Sequence, residues 1–188
     1  NTAEGYQFVP SSASIKPSYG LSSVVLAAFE PGDQRRLDWV DSNKIAGTVY
    51  YYPYKYKTRL ATPALEYYVV LRLGEQYLIE AEAEAQLGSL TAAIASLDKI
   101  RVRAGLPAVA QTNPGIGQAD LLAAIDHENQ VEFFCEWGHR WFDLKRLGRI
   151  NAVLGAEKPA VWHPTDALYP IPNNEILTNP NITQNAGY

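Results

Sequence analysis

The strongest constraint in this sequence is three glutamates, Glu128, Glu132 and Glu136, spaced four residues apart inside a helical apolar pattern. At 100° per residue, Leu121, Ala124, Ile125, Val131, Cys135 and Phe142 fall within one arc, and Glu128, Glu132 and His139 point into the middle of it. A carboxylate buried without a partner costs several kcal/mol, so the chain must bring cations to that face. The candidates are Arg140, Arg101, Arg103 and Arg72, and Asp143 can pair along the same helix. Glu128, Glu132, Arg140, Asp143, Arg101 and Arg103 are therefore expected to form a structural polar network wired through a helical core.

The other helical signals lie before this stretch. From about Leu71 the apolar spacing becomes helical, with Leu73, Tyr77, Leu78, Ala81 and Ala85 on one stripe. Gly88 stops that helix, and Ser89 caps a second whose stripe is Leu90, Ala93, Ile94, Leu97 and Ile100, ending at Gly105 and Pro107. Two antiparallel helices with small residues at the crossing resemble one tetratricopeptide unit. One such unit cannot bury both of its faces, so the central helix or further repeats must cover it. The expected fold class is all-α: a tetratricopeptide-like helical hairpin packed with a further central helix, with long irregular loops and an extended C-terminal tail.

The remainder has few periodic elements. Residues 1–20 read as loop; Ser22 or Ser23 caps a short helix through VVLAAF that ends at Pro31-Gly32. Asp33, Arg35 and Arg36 then read as a turn held by a salt bridge. In TVYYYPYKYK, aromatics and cations alternate, as in an extended strand or loop. Residues 108–118 form a turn-rich loop. The tail from Trp162 onward, with its prolines and asparagines, is expected to be irregular and anchored by Leu168, Ile171 and Ile176. One domain of 188 residues is expected, divided into a loop-rich lead-in at 1–63, a helical core at 64–150 and the tail at 151–188.

Composition excludes several functions. The chain is 47% apolar and 19% charged with net charge -4, and its 16 basic residues are scattered, so it is not a general nucleic-acid binder. The single cysteine, Cys135, falls on the apolar arc and reads as a small buried hydrophobe, not a reactive thiol. His127, His139 and His163 have no metal-site spacing, no serine sits in a nucleophile elbow, and no phosphate or dinucleotide fingerprint is present. No cofactor, no metal and no catalytic residue is expected. The glutamate row invites a glycosidase reading, but carboxylates beside so many arginines are neutralised, not held at the split pKa values that glycoside cleavage needs.

The stretch ENQVEFFCEWGHRWFDLKRLG resembles the C-terminal signature of the SusD/RagB family, in which a motif of the form ERRxELxxEGxRxxDLxR stands at this point. Glu128, Glu132, Glu136, Gly138, Arg140, Trp141, Asp143, Leu144 and Arg146 match it. Asn129 and Gln130 replace the usual arginine pair, and Trp137 is inserted before the glycine. RLGEQYLIEAEAEAQLG and LYPIPNNEILTNPNITQNAGY occur in the family's order before and after it. The resemblance implies the C-terminal region of a non-enzymatic outer-surface lipoprotein. Such a protein captures an oligosaccharide and delivers it to a TonB-dependent, SusC-like outer-membrane transporter. It also implies that the N-terminal repeats and the lipid-anchoring cysteine lie outside this chain, and that the fragment alone binds glycans very weakly or undetectably. The competing classes are a helical-repeat protein-protein adaptor and a glycoside hydrolase. If sugar binds here, the stacking candidates are Trp39, Tyr51, Tyr54 and Trp162, which lie in segments rich in Gly, Pro and Asn where side chains stay out of the core.

Overall fold

A computed structural model describes residues 1–188, and its chain divides into two compact units, Asn1–Trp137 and Gly138–Tyr188. In chain order the first unit contains α1 (Ala3–Phe8), α2 (Ser23–Ala28), α3 (Gln34–Trp39), β1 (Val40–Ile45), β2 (Thr48–Pro53), α4 (Leu73–Gln86), α5 (Leu90–Arg103), α6 (Val109–Thr112) and α7 (Gln118–Glu132). The second contains α8 (His139–Arg146), α9 (Ile150–Glu157), a 3-10 turn at Pro164–Ala167 and α10 (Asn173–Thr178). The expected all-α class holds, with one two-stranded ribbon as the only sheet.

The hairpin α4–α5 forms where the spacing places it. Gly88 takes φ +80 at the bend, a conformation that a side chain would strain, and lets the chain reverse into α5. Ala81, Ala85 and Ala93 are fully buried at the crossing, where small side chains let the helix backbones approach, and α7 packs against both helices. Leu78, Leu97, Ile100, Leu121, Ile125 and Phe133 complete this core. Leu73, assigned to the α4 stripe on spacing, is instead 68% exposed, because the helix starts there and the buried position belongs to the next residue, Gly74.

A second cluster gathers Phe29, Val40, Val131 and Phe134, with Trp39 and Tyr51 packed against it. The antiparallel ribbon β1–β2 supports it, pairing Val40 with Pro53 and Ser42 with Tyr51. Ser22 caps α2 by accepting the Val25 N–H, and Asp33 caps α3 by accepting the Arg35 N–H.

The expected continuous central helix is interrupted. Phe133 is buried in the first cluster and its neighbour Phe134 in the second, so consecutive rings anchor the chain in different places and α7 ends at Glu132. Cys135 (φ +59), Trp137 (φ +41) and Gly138 (φ +74) then turn the backbone through left-handed conformations. His139 and Phe142 consequently leave the arc of α7: Phe142 is 63% exposed. Cys135 is not the buried hydrophobe of the expected helix face but an exposed residue of this turn, although its crowded thiol is pushed up to about 11 by desolvation.

Other departures are local. Short helices α1 and α3 occupy parts of the lead-in expected as loop, and α9 and α10 lie within the expected irregular tail. Within the second unit the tail is tied by side chains: Gln184 exchanges hydrogen bonds with the Ile171 backbone, Asn185 donates to the Tyr169 carbonyl, and the Tyr188 hydroxyl donates to the Leu168 carbonyl. Leu168, expected as an anchor, is 50% exposed, so hydrogen bonds hold the tail at that point.

Leu97→Ala, at a fully buried position of the hairpin, should lower unfolding free energy by about 2–5 kcal/mol in a urea titration. Leu87→Ala, on a side chain left 82% exposed, should change it by less than about 0.5 kcal/mol.

Candidate functional site

Glu128 and Glu132, on the face of α7, are buried to 1% and 0% exposure and are fully engaged by cations. At the centre is Arg35, itself buried. Its Nε and Nη2 bind the Asp33 carboxylate at 2.8–3.2 Å, while Nη1 donates to Glu128 at 2.5 Å and to Glu132 at 3.0 Å. Arg101 joins Glu128 (3.2 Å) to Glu30 (2.6 Å). Arg103 reaches Glu132 at 2.5 Å, and Arg72 bridges Glu132 (2.6 Å) and Glu136 (3.0 Å). Lys55 closes the row by donating to the Glu132 carbonyl and the Glu136 carboxylate, both at 2.6 Å. Five carboxylates thus face five cations.

Burial alone would disfavour the charged forms, and the ion pairs work against it. For Glu132, desolvation pushes the pKa up, but Arg103 and Arg72 prevail and hold it below the ordinary 4.5. The bidentate Arg101 bond lowers Glu30. Arg35 is raised: burial opposes its charge, and Asp33 and Glu128 overcome that opposition. Lys55 goes the other way. Desolvation lowers it to about 8 even though Glu136 favours the cation.

The structure brings Glu128, Glu132, Arg101 and Arg103 of the expected network together with Arg72, another of the candidate cations. Arg140 and Asp143 belong instead to the second unit, where Asp143 pairs with Arg146 at 2.8 Å, because the turn after Phe134 takes them off α7. Arg35 and Lys55 are members that the helical spacing does not reveal. The turn held by Asp33 and Arg35 is present, but the same guanidinium also spans to a helix more than 90 residues away. The only local signal was an arginine two residues after a capping aspartate, which the short-range salt bridge already accounted for.

At its Lys55–Glu136 end the network opens into a cleft of about 180 Å³ lined by Trp39, Lys55, Tyr56, Val69, Arg72 and Glu136. Trp39, at the end of α3, is the one stacking candidate on this wall. It is partly buried, and the Lys55 ammonium sits 4.2 Å from its ring centroid. Tyr51 packs on the second cluster under the Arg36 guanidinium, 4.8 Å away. Tyr54 meets Tyr52 edge-on at 6.1 Å and carries Lys57 over its face. Trp162 lies in the second unit, 6.2 Å from Trp141, and donates to Asn151. All four are half-buried, each with a cation or a neighbouring ring against it. The exposed aromatics are Tyr67, Tyr68, Tyr169 and Trp137, among others. Of these, Tyr68 and Trp137 form a step beside the cleft, with centroids 5.5 Å apart.

This architecture has close relatives. The family model described as "SusD family" matches residues 37–188. The chain belongs to the SusD family. Over 132 residues it is 33% identical to "SusD-like protein P2" of Formosa agariphila, an alignment covering 64% of this chain and 26% of that protein. A SusD superfamily protein from Bacteroides thetaiotaomicron superimposes with TM-score 0.71 at 23% identity, over 96% of this chain and 41% of that one. Another, from Bacteroides vulgatus, does so with TM-score 0.69 at 20% identity, over 90% and 44%. The two structures share the fold. The chain spans about a quarter of the length of the curated relatives it matches.

Arg35→Met should cost about 3–5 kcal/mol, since it strands the carboxylates of Glu128 and Asp33 in the interior. Stability should also respond to pH at two places. Glu132 and Glu30 are depressed, so their contribution is present above about pH 4.5 and is lost as pH falls through their lower folded values. Lys55 is depressed from 10.5 to about 8, so the unfolded chain binds the extra proton in that interval and stability rises with pH there. Chemical denaturation at pH 8 and 9 should show a gain on the order of 1 kcal/mol that Lys55→Met lacks. An equal gain in the variant would refute the assignment to Lys55.

Proposed function

We propose that this chain is the C-terminal region of a non-catalytic, cell-surface glycan-binding protein that captures oligosaccharide and passes it to a TonB-dependent, SusC-like outer-membrane transporter. In this reading the full protein is a lipoprotein of the outer membrane, held by a lipid anchor outside these 188 residues. Membership of the SusD family over residues 37–188 carries the proposal. The absence of any helix long and apolar enough to span a membrane is compatible with anchorage through lipid. The glutamate row supports a non-catalytic role. A glycosidase needs one carboxylic acid kept protonated by a raised pKa beside an ionised partner. Here the carboxylates that shift, Glu30 and Glu132, shift downward under arginine pairing. They are built to stay ionised and paired, not to give up a proton.

Incubation of the chain with a panel of plant and bacterial polysaccharides should release no reducing ends. Release that disappears in Glu132→Gln or Glu136→Gln would overturn the binding-protein reading in favour of a hydrolase. Affinity capture of a detergent-solubilised SusC-like transporter by the full-length lipoprotein should succeed, and its failure in the presence and absence of glycan would remove the transporter from the proposal.

A further inference from the structure

Trp137 has two features that ordinary packing does not explain. It holds a left-handed backbone conformation, φ +41, where a bulky side chain is strained, and it leaves 48% of its large apolar surface in water. Its indole is nonetheless fixed. The Nε1–H donates to the Val69 carbonyl at 3.3 Å, and Tyr68, itself 44% exposed, lies 5.5 Å away at a tilt of 52°. Tyr68 in turn meets Tyr56 edge-on at 6.2 Å and accepts the Ala3 N–H through its hydroxyl at 2.6 Å. Val69 and Tyr56 both line the 180 Å³ cleft, so the fixed aromatic step borders directly on it.

The polar groups of the cleft are mixed in kind. The Tyr56 hydroxyl accepts the Val69 N–H, leaving its own proton to donate. The Lys55 ammonium spends two of its three N–H groups on Glu132 and Glu136. Glu136 accepts from Lys55 and Arg72 and retains acceptor capacity. A donor beside an acceptor is what neighbouring sugar hydroxyls require, and an exposed ring face beside them suits the C–H face of a pyranose. The cleft is smaller than the roughly 300–1,000 Å³ of sites that enclose a drug-sized ligand, so it takes one ring and not a chain. Because the five cations of the network are matched by five carboxylates, no unspent positive charge is left for an anionic ligand.

We propose that Trp137 and Tyr68 form a stacking subsite for one uncharged pyranose ring of an oligosaccharide, whose hydroxyls are met by Tyr56, Lys55 and Glu136. This rests on the glycan-binding reading. The test is an array of neutral and uronate-containing oligosaccharides, followed by calorimetric titration of the hits. Neutral sugars should bind in the millimolar range, Trp137→Ala should weaken them at least tenfold with an unchanged thermal midpoint, and Trp137→Phe should restore most of the loss. Binding by Trp137→Ala equal to the parent would overturn the subsite and leave the glycan-binding reading standing. Preference for uronates would overturn the uncharged class. Binding to no glycan on the array would overturn the subsite, and binding of the full-length lipoprotein to the same array would then leave the glycan-binding reading standing.

Discussion

The structure depends on one guanidinium. Arg35 is buried between a capping aspartate and two glutamates of α7, and it links the start of α3 to the helix that packs against the tetratricopeptide-like hairpin. Desolvating a guanidinium and two carboxylates is costly, and their mutual attraction little more than offsets it, so the network adds little net stability over an apolar core. Its effect is on uniqueness. Each guanidinium has directional donors, and the arginines reach Glu128 and Glu132 from three segments: Arg35 from α3, Arg101 and Arg103 from α5, and Arg72 from the start of α4. A slip of α7 by one residue would break all four at once and bury unpaired charge. Apolar side chains would tolerate the same slip far better.

That dependence explains which parts of the fold were legible in the sequence. The hairpin could be read because its signals are local: a helical period, Gly88 at a left-handed bend, and alanines at the crossing. The need for cations around Glu128 and Glu132 was equally plain, since burial of a carboxylate carries its own requirement. Which cations answer it was not. Arg101 and Arg103 lie on a helix that packs directly on α7, and their choice followed from the pattern. Arg35 and Lys55 come from segments whose position is set by tertiary contacts, namely the caps of α3 and the end of the β1–β2 ribbon. Sequence periodicity carries no information about such distances.

The misplacement of Arg140 and Asp143 has a different origin. Periodicity continued unbroken from Leu121 to Phe142, and nothing in a helical wheel says that Phe133 and Phe134 serve different clusters. Once they do, the backbone must turn within a few residues, and it does so through Cys135, Trp137 and Gly138. Only the last of these is a residue type that advertises a turn. The same break explains the aromatic assignments. Trp39, Tyr51 and Tyr54 lie in segments rich in loop-forming residues, yet cations sit over their faces, whereas Trp137, the insertion before Gly138, lies in the turn and is 48% exposed.

The buried network and the surface cleft are therefore two ends of one arrangement. Glu132 is held by Arg35, Arg72 and Arg103, and Arg72 passes that constraint on to Glu136, which fixes Lys55 at the mouth of the cleft. A polar wall held this way loses little side-chain entropy when a ligand arrives, which removes part of the ordering cost that makes wet interfaces weak. It also sets what the wall can discriminate. Each charge is already answered, so neither sign attracts a ligand from a distance, and recognition falls to short-range geometry: hydrogen-bond direction and the fit of a ring against an aromatic face. The left-handed turn that interrupts α7 supplies that face, so the conformation that broke the expected helix is also what would give the cleft its specificity.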